Sequence, residues 1–409
     1  MKNLIKASLT VLIISVLIYK FVDFRRYDDF ILRTAVNMHI FLMDADIILR
    51  SIHIKGVYRC FESGLGKLNY YMTDKTNLTI KRKLFDGVNV LIFSPIKRDR
   101  KGPAIVYYHG GGWAVMNPEI YSPFLANLAR RLNTMIVAVD YRKAPEYPYP
   151  APFNDALVAT KYFLINCKEF DVDPNRIALM GDSAGGSLVV SVGYHLTAMK
   201  RASKIVHSPK VLISLNPVLQ VVDFSTPSYR DNLHDPILVK ARMARYYCIY
   251  AFGEQLSWTE LRNCIEALIT HRHLTVEAIQ KVRGHVDWNN LLSGRGYDNR
   301  PRSSFTQSVN QFSEKLSELV ESVGFSPLSA LNDSQLQILP PVYLYGSSKD
   351  PLRDDAKMLM ARLKRLRSFG DYWEFKCFHV CFLLGRIGVK DEETSLKELI
   401  SFFENNAIL

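Results

Sequence analysis

Between residues 104 and 215 the sequence alternates short apolar runs with longer helical stretches, and this alternation narrows the fold more than any other feature. The runs at 104–108, 135–139, 177–180 and 211–215 are short and mainly apolar, and 135–139 is also β-branched. Between them, 121–132, 152–166 and 185–200 read as helices. Strands joined through helices pair in parallel, because a parallel connection must cross the length of the sheet. The chain therefore reads as α/β, with a mostly parallel central sheet. Upstream, 78–82 and 88–93 flank Asp86-Gly87, a hairpin signal that predicts an antiparallel pair.

The alternation stops near 221. From there to about 338 the chain is helix-prone and irregular, with many aromatics and a polar stretch at 294–310. It resumes with a strand at 342–345, a helix at 353–366, a strand at 372–378 and a last helix at 392–404. The middle reads as an insertion between two strands of one sheet. The expected divisions are an anchor at 1–23, an N-terminal cap segment at 24–75, core at 76–220, cap insertion at 221–335 and core again at 336–409.

Composition excludes other classes. With 48% apolar and 22% charged residues, the chain is neither collagen-like nor disordered. The net charge of +12 suits an anionic surface, but the basic residues are scattered without a long block, so no nucleic-acid partner is expected. Six cysteines are too few for a disulfide scaffold, and no C-x-x-C pair marks a zinc site. Cys377-x-His379-x-Cys381 invites a metal reading but lacks a fourth ligand. No metal is expected.

Lys2 and Lys6 precede an apolar run at 7–19, and 4–22 is close to the length of a membrane span. Small residues at a cleavage site are missing after the run, so it reads as an uncleaved signal anchor rather than a removed signal peptide. A buried or interfacial helix is the further alternative. Basic residues on both sides leave the orientation open. Sequons at Asn77 and Asn332 fit a lumenal chain and glycosylation there.

Two motifs carry chemistry. Gly181-Asp182-Ser183-Ala184-Gly185 matches G-x-S-x-G between a strand and a helix, the setting that exposes a serine nucleophile on a sharp turn. The pentapeptide alone also fits a glycine-rich turn with a serine helix cap. His109-Gly110-Gly111-Gly112-Trp113 follows the strand at 104–108. Backbone N–H groups there can receive the negative charge of an acyl-transfer intermediate, each lowering the barrier by about 3–4 kcal/mol. The expected oxyanion set is Gly110, Gly111, Gly112 and Ala184. Gly111 and Gly112 lead it, and His109 organises the loop.

With both motifs in order, the sequence resembles the hormone-sensitive-lipase branch of the α/β-hydrolases. Within it, the chain looks like the arylacetamide deacetylase and neutral cholesterol ester hydrolase group. The likeness extends to Asp140-Tyr141-Arg142 with Ala144-Pro145-Glu146, to Pro217-x-Leu219-Gln220, to Thr226-Pro227-Ser228-Tyr229, and to Asp350-x-Leu352-Arg353-Asp354-Asp355. It implies a helical cap, an endoplasmic reticulum membrane anchor of single-pass type II and a lumenal catalytic domain.

That fold orders its triad as serine, acid, histidine. Only His379 among ten histidines follows the strand at 342–345. Asp350 lies at the carboxyl edge of the sheet, where ligands bind in open α/β folds. The expected triad is Ser183, Asp350 and His379, with Asp182 as motif support. Asp354 and Asp355, one turn into the next helix, suit its dipole. Two departures stand out: Cys377 replaces the glycine of the family's Gly-Phe-His, and Lys143 stands where relatives often carry an apolar residue. The reading is a serine esterase or deacetylase acting on small apolar or lipid-like esters, without an organic cofactor. A catalytically silent binding protein on the same scaffold is the alternative.

Overall fold

A computed structural model describes residues 56–292 and 310–381, with short helical pieces at 37–38, 41–43, 45–46, 397–401 and 403. The expected anchor at 1–23, the polar stretch at 294–309 and the start of the last helix at 392–396 lie outside the described residues. Among the described residues no helix is long and apolar enough to cross a membrane.

Among the described residues, eight strands form one sheet: β1 (Leu78–Phe85), β2 (Val88–Pro95), β3 (Gly102–Tyr108), β4 (Met135–Val139), β5 (Val172–Asp182), β6 (Val211–Leu215), β7 (Val342–Lys349) and β8 (Gly370–Phe378). Their order is β1-β2-β4-β3-β5-β6-β7-β8. β2 runs antiparallel to β1 and β4, and the other pairings are parallel. Asp86 (φ 49°) and Gly87 (φ 84°) make the expected hairpin turn, both in the left-handed region that matches strand twist.

Helix α1 (Val57–Met72) precedes the sheet. Helices α2 (Ser122–Arg131), α3 (Ala151–Asn166) and α4 (Ala184–Arg201) are the crossovers. Strand alternation divides the core between two faces. Ile105 and Tyr107 of β3 point towards Leu125 and Leu128 of α2. Ala104, Val106 and Tyr108 point the other way, towards Phe163 of α3 and Leu188 of α4. A buried side chain of the size of Ile105, Val106 or Leu188 contributes about 1.5–3 kcal/mol.

Between β6 and β7 the described residues form helices, as expected: α5 (Pro227–Asp231), α6 (Lys240–Phe252), α7 (Trp258–Ile269), α8 (Val276–Val282), α9 (Trp288–Leu291), α10 (Ser313–Val320), α11 (Pro327–Ala330) and α12 (Asp333–Leu336). Its aromatics are mainly core. Tyr250 stacks on Trp113 with centroids 4.2 Å apart and on Phe325 at 5.2 Å. A Cys248–Cys264 disulfide ties α6 to α7. After β7, α13 (Arg353–Arg365) returns the chain to β8.

Candidate active site

Ser183 sits between β5 and α4 at φ 52°, ψ −119°. A non-glycine residue reaches that conformation only where its surroundings enforce it. Here its N–H bonds Leu215 O at 2.8 Å, and its carbonyl accepts from Val218 N–H at 3.2 Å. The flanking glycines are required by space. A Cβ on Gly181 would lie 2.6 Å from Gly185 O, and one on Gly185 would collide with the Tyr108 carbonyl. Ala184, the first residue of α4, presents an N–H that has no acceptor within its own helix.

The glycine loop leaves the adjacent β3. Gly111 (φ 105°) and Gly112 (φ 58°) both lie in the left-handed region. A Cβ on Gly111 would strike Val115 O, and one on Gly112 would strike the Tyr246 ring of α6. Gly110 corrects an expectation. Its N–H is bonded to Asp182 Oδ1 and to the Tyr121 hydroxyl, both at 3.1 Å, so it is not aimed at a substrate. Asp182 also accepts from the hydroxyls of Tyr107 at 2.7 Å and Tyr121 at 2.9 Å. Burial raises its pKa to about 6 against these donors. The second residue of the G-x-S-x-G motif thus fastens the glycine loop to the serine turn.

His109 organises that loop. Its Nδ1–H donates to Gly110 O at 2.7 Å, its ring stacks on Tyr141 at 4.2 Å, and its carbonyl accepts from the Tyr141 hydroxyl at 2.7 Å. Full burial, with Lys143 nearby, pushes its pKa well down, so the ring is neutral.

The structure brings Ser183, His379 and Asp350 together. His379 Nε2 lies 3.0 Å from Ser183 Oγ, and Nδ1 lies 3.0 Å from Asp350 Oδ2. A carboxylate only accepts, so Nδ1 carries the proton and Nε2 faces the hydroxyl with its lone pair. Burial opposes charge on His379. The Asp350 carboxylate, helped by Asp235 and Asp182, outweighs it and holds the pKa above the ordinary 6.5.

Two supporting residues escaped sequence reasoning. Asn216, just past β6, donates through Nδ2 to Asp350 Oδ2 at 2.6 Å and to Ser347 Oγ at 2.9 Å. Its position at the carboxyl edge of a strand was an available signal. Asp235, between α5 and α6, accepts the His379 N–H at 3.0 Å, and nothing in its local sequence marks it. Asp354 and Asp355 stand in the first turn of α13, as expected for its dipole, and each also has specific partners. Asp354 accepts from Ser228 N–H at 2.7 Å, and Asp355 from Leu219 N–H and Gln220 Nε2, both at 3.0 Å. These buried carboxylates fix the segment that leaves β6.

Lys143 has a partner for its charge. It lies 4.0 Å from the buried Glu62 of α1 and 3.5 Å from Asp140. Beside it, Arg59 of α1 donates to Glu146, to Ala144 O and to Ala114 O, which ties α1 to the end of the glycine loop. The metal reading of Cys377, His379 and Cys381 fails because the two sulfurs are joined in a disulfide.

Residues 105–270 match a family model described as the alpha/beta hydrolase fold. Neutral cholesterol ester hydrolase 1 of Mus musculus is 33% identical over 312 residues, 73% of this chain and 72% of that protein. Arylacetamide deacetylase of Bos taurus is 32% identical over 72% of this chain and 71% of its own length. The chain belongs to this family of α/β-hydrolases. Solved structures agree on the fold. A bacterial heroin esterase superposes with a TM-score of 0.57 at 21% identity, covering 84% of this chain and 89% of its own. An arylesterase gives 0.53 at 19% identity, covering 84% and 91%.

Proposed function

We propose that the chain is a serine hydrolase of carboxylic esters with apolar or lipid-like groups, acting through an acyl-enzyme on Ser183. One observation carries this reading: two successive 3.0 Å contacts run from Asp350 through His379 to Ser183. As Ser183 Oγ attacks the substrate carbonyl, His379 Nε2 takes its proton. Asp350 stabilises the imidazolium so formed. The N–H groups of Gly111, Gly112 and Ala184 receive the charge on the carbonyl oxygen. His379 then protonates the departing alcohol, and a water molecule repeats the sequence to release the acid. No metal or organic cofactor is needed for these steps.

The names of the relatives support the substrate class, a sterol ester on one side and an arylacetamide on the other. Both are apolar molecules opened by acyl transfer. In this reading, residues 24–75 and 221–335 form the cap over the acyl site. Ser183→Ala is the test: it should abolish hydrolysis of short-chain aryl esters while the circular dichroism spectrum stays unchanged. Full activity in that variant would refute the role of Ser183 and favour a binding protein on this scaffold.

The anchor at 1–23 and a lumenal catalytic domain of type II topology in the endoplasmic reticulum belong to the same proposal. Two disulfides, Cys248–Cys264 and Cys377–Cys381, support an oxidising compartment. Asn77 and Asn332 are exposed, as glycan acceptors must be. Carbonate-resistant membrane association with endoglycosidase-sensitive glycan is the expected result. A chain released by carbonate would contradict the anchor.

A further inference from the structure

The histidine loop hangs from the edge of the sheet. Among the described residues β8 is the last strand in the order and pairs only with β7. Beyond Phe378 the chain turns through His379 and Val380, and Val380 lies at φ 46°. A β-branched residue in the left-handed region is held there against its own preference. The turn is nevertheless placed so that His379 meets both Ser183 and Asp350.

Two tethers hold it. Asp235 accepts the backbone N–H of His379 at 3.0 Å. The Cys377–Cys381 disulfide closes the turn on itself, joining residues four apart in sequence with Cα atoms 6.2 Å apart. His379 and the strained Val380 both lie inside that ring. Cys377 Sγ is also 3.3 Å from Ser347 Oγ, which accepts from Asn216 Nδ2, and the same amide donates to Asp350. The sulfur bridge therefore touches the network that places the acid and encloses the residue that serves as base.

The length of the ring decides what the bridge does. Disulfide stabilisation through the unfolded chain grows with the number of residues enclosed. A sequence separation of four closes a far shorter loop than the separation of sixteen at Cys248–Cys264, so its main effect is on local geometry.

We propose that Cys377 and Cys381 are positioning residues whose disulfide holds the His379 turn in register with Ser183 and Asp350. The proposal rests on the reading of Ser183, His379 and Asp350 as the reacting set. A misplacement of about 1 Å in such a set costs on the order of 10²-fold in rate. Substrate binding, which does not depend on where His379 points, should change little.

The test compares the full-length chain with Cys377→Ser/Cys381→Ser. The double variant should lose about 10²-fold in kcat with KM within about threefold, and its labelling of Ser183 by a fluorophosphonate should slow in parallel. Adding Val380→Gly to it should recover part of kcat, because glycine adopts the left-handed turn without the bridge. If the double variant does not fold, the native chain is treated with dithiothreitol. Its two thiols become a cyclic disulfide as the protein bridge accepts two electrons and two protons to give two thiols. Activity should then fall with the fraction of Cys377 and Cys381 that iodoacetamide alkylates, read by mass spectrometry. A kcat within twofold of the native chain in the folded double variant, full activity after Cys377 and Cys381 are reduced and alkylated, or free thiols at 377 and 381 in the native chain would each overturn the proposal. Failure of the native chain to label at Ser183 would instead overturn the parent reading, so the two failures are distinct.

Discussion

Asp350 holds His379 through a single oxygen. Its Oδ2 accepts from His379 Nδ1 at 3.0 Å and from Asn216 Nδ2 at 2.6 Å, while Oδ1 accepts from Leu352 N–H at 2.8 Å. Three donors from three segments fix the plane of the carboxylate. The imidazole thus meets an acceptor that cannot turn away, and its tautomer is set before a substrate arrives.

Asp350→Asn should therefore be costly. The amide keeps the shape but offers a donor where the ring needs an acceptor, and the loss should reach about 10⁴-fold in kcat. His379→Ala should cost at least as much, and the double variant should be little worse than His379→Ala alone, because the two act as one unit. Additive losses in steady-state kinetics would contradict this pairing.

The same pair sets the pH dependence. Activity needs neutral His379, whose pKa is held above the ordinary 6.5 because Asp350 outweighs burial. The acid limb of kcat/KM should thus lie above 6.5 in the native chain. In Asp350→Asn burial remains and its main opponent is gone, so the limb of the residual activity should move to lower pH. A limb that stays in place or rises would show that Asp350 does not govern the ring.

Gly112→Ala tests the glycine loop. The new methyl group would meet the Tyr246 ring and would sit at φ 58°. Displacing the donor should slow the chemical step about 10²–10³-fold. Tyr246→Ala added to it should restore part of the rate by clearing the space, although the backbone strain remains. An unchanged rate in Gly112→Ala with several esters would place the oxyanion donors elsewhere.

Much of this was legible in the sequence. The apolar runs at 104–108, 135–139 and 211–215 fall inside β3, β4 and β6, because buried parallel strands leave no solvent face to blur the pattern. Ser183 was legible because its turn needs glycine on both sides, and the collisions at Gly181 and Gly185 show why. His379 and Asp350 followed from chain order. Gly110 was misassigned because a sequence does not show which glycine turns its N–H inward, and Asp182 takes that one. Asp235 and the Cys377–Cys381 bridge were not legible. The first acts across 144 positions of sequence, and the second depends on the turn at Val380 bringing two sulfurs together.

Asp355 offers a check on the segment that leaves β6. Burial raises its pKa to about 7, well above the ordinary carboxylate value of 3.8. A folded-state pKa raised in this way stabilises the fold fully at acid pH. That contribution is lost as pH rises from about 4, where the unfolded chain ionises, towards 7. The native chain should accordingly lose more thermal stability across that window than Asp355→Asn, which cannot ionise. Parallel melting curves for the two chains would argue against a protonated Asp355.

The most direct measurement is covalent. The full-length chain is incubated with a fluorophosphonate, digested, and the adduct located by mass spectrometry. The account predicts one adduct, on Ser183, formed at a rate that falls sharply in His379→Ala and vanishes in Ser183→Ala. An adduct on another serine, or none in a folded chain, would contradict the central claim that Ser183 is the nucleophile.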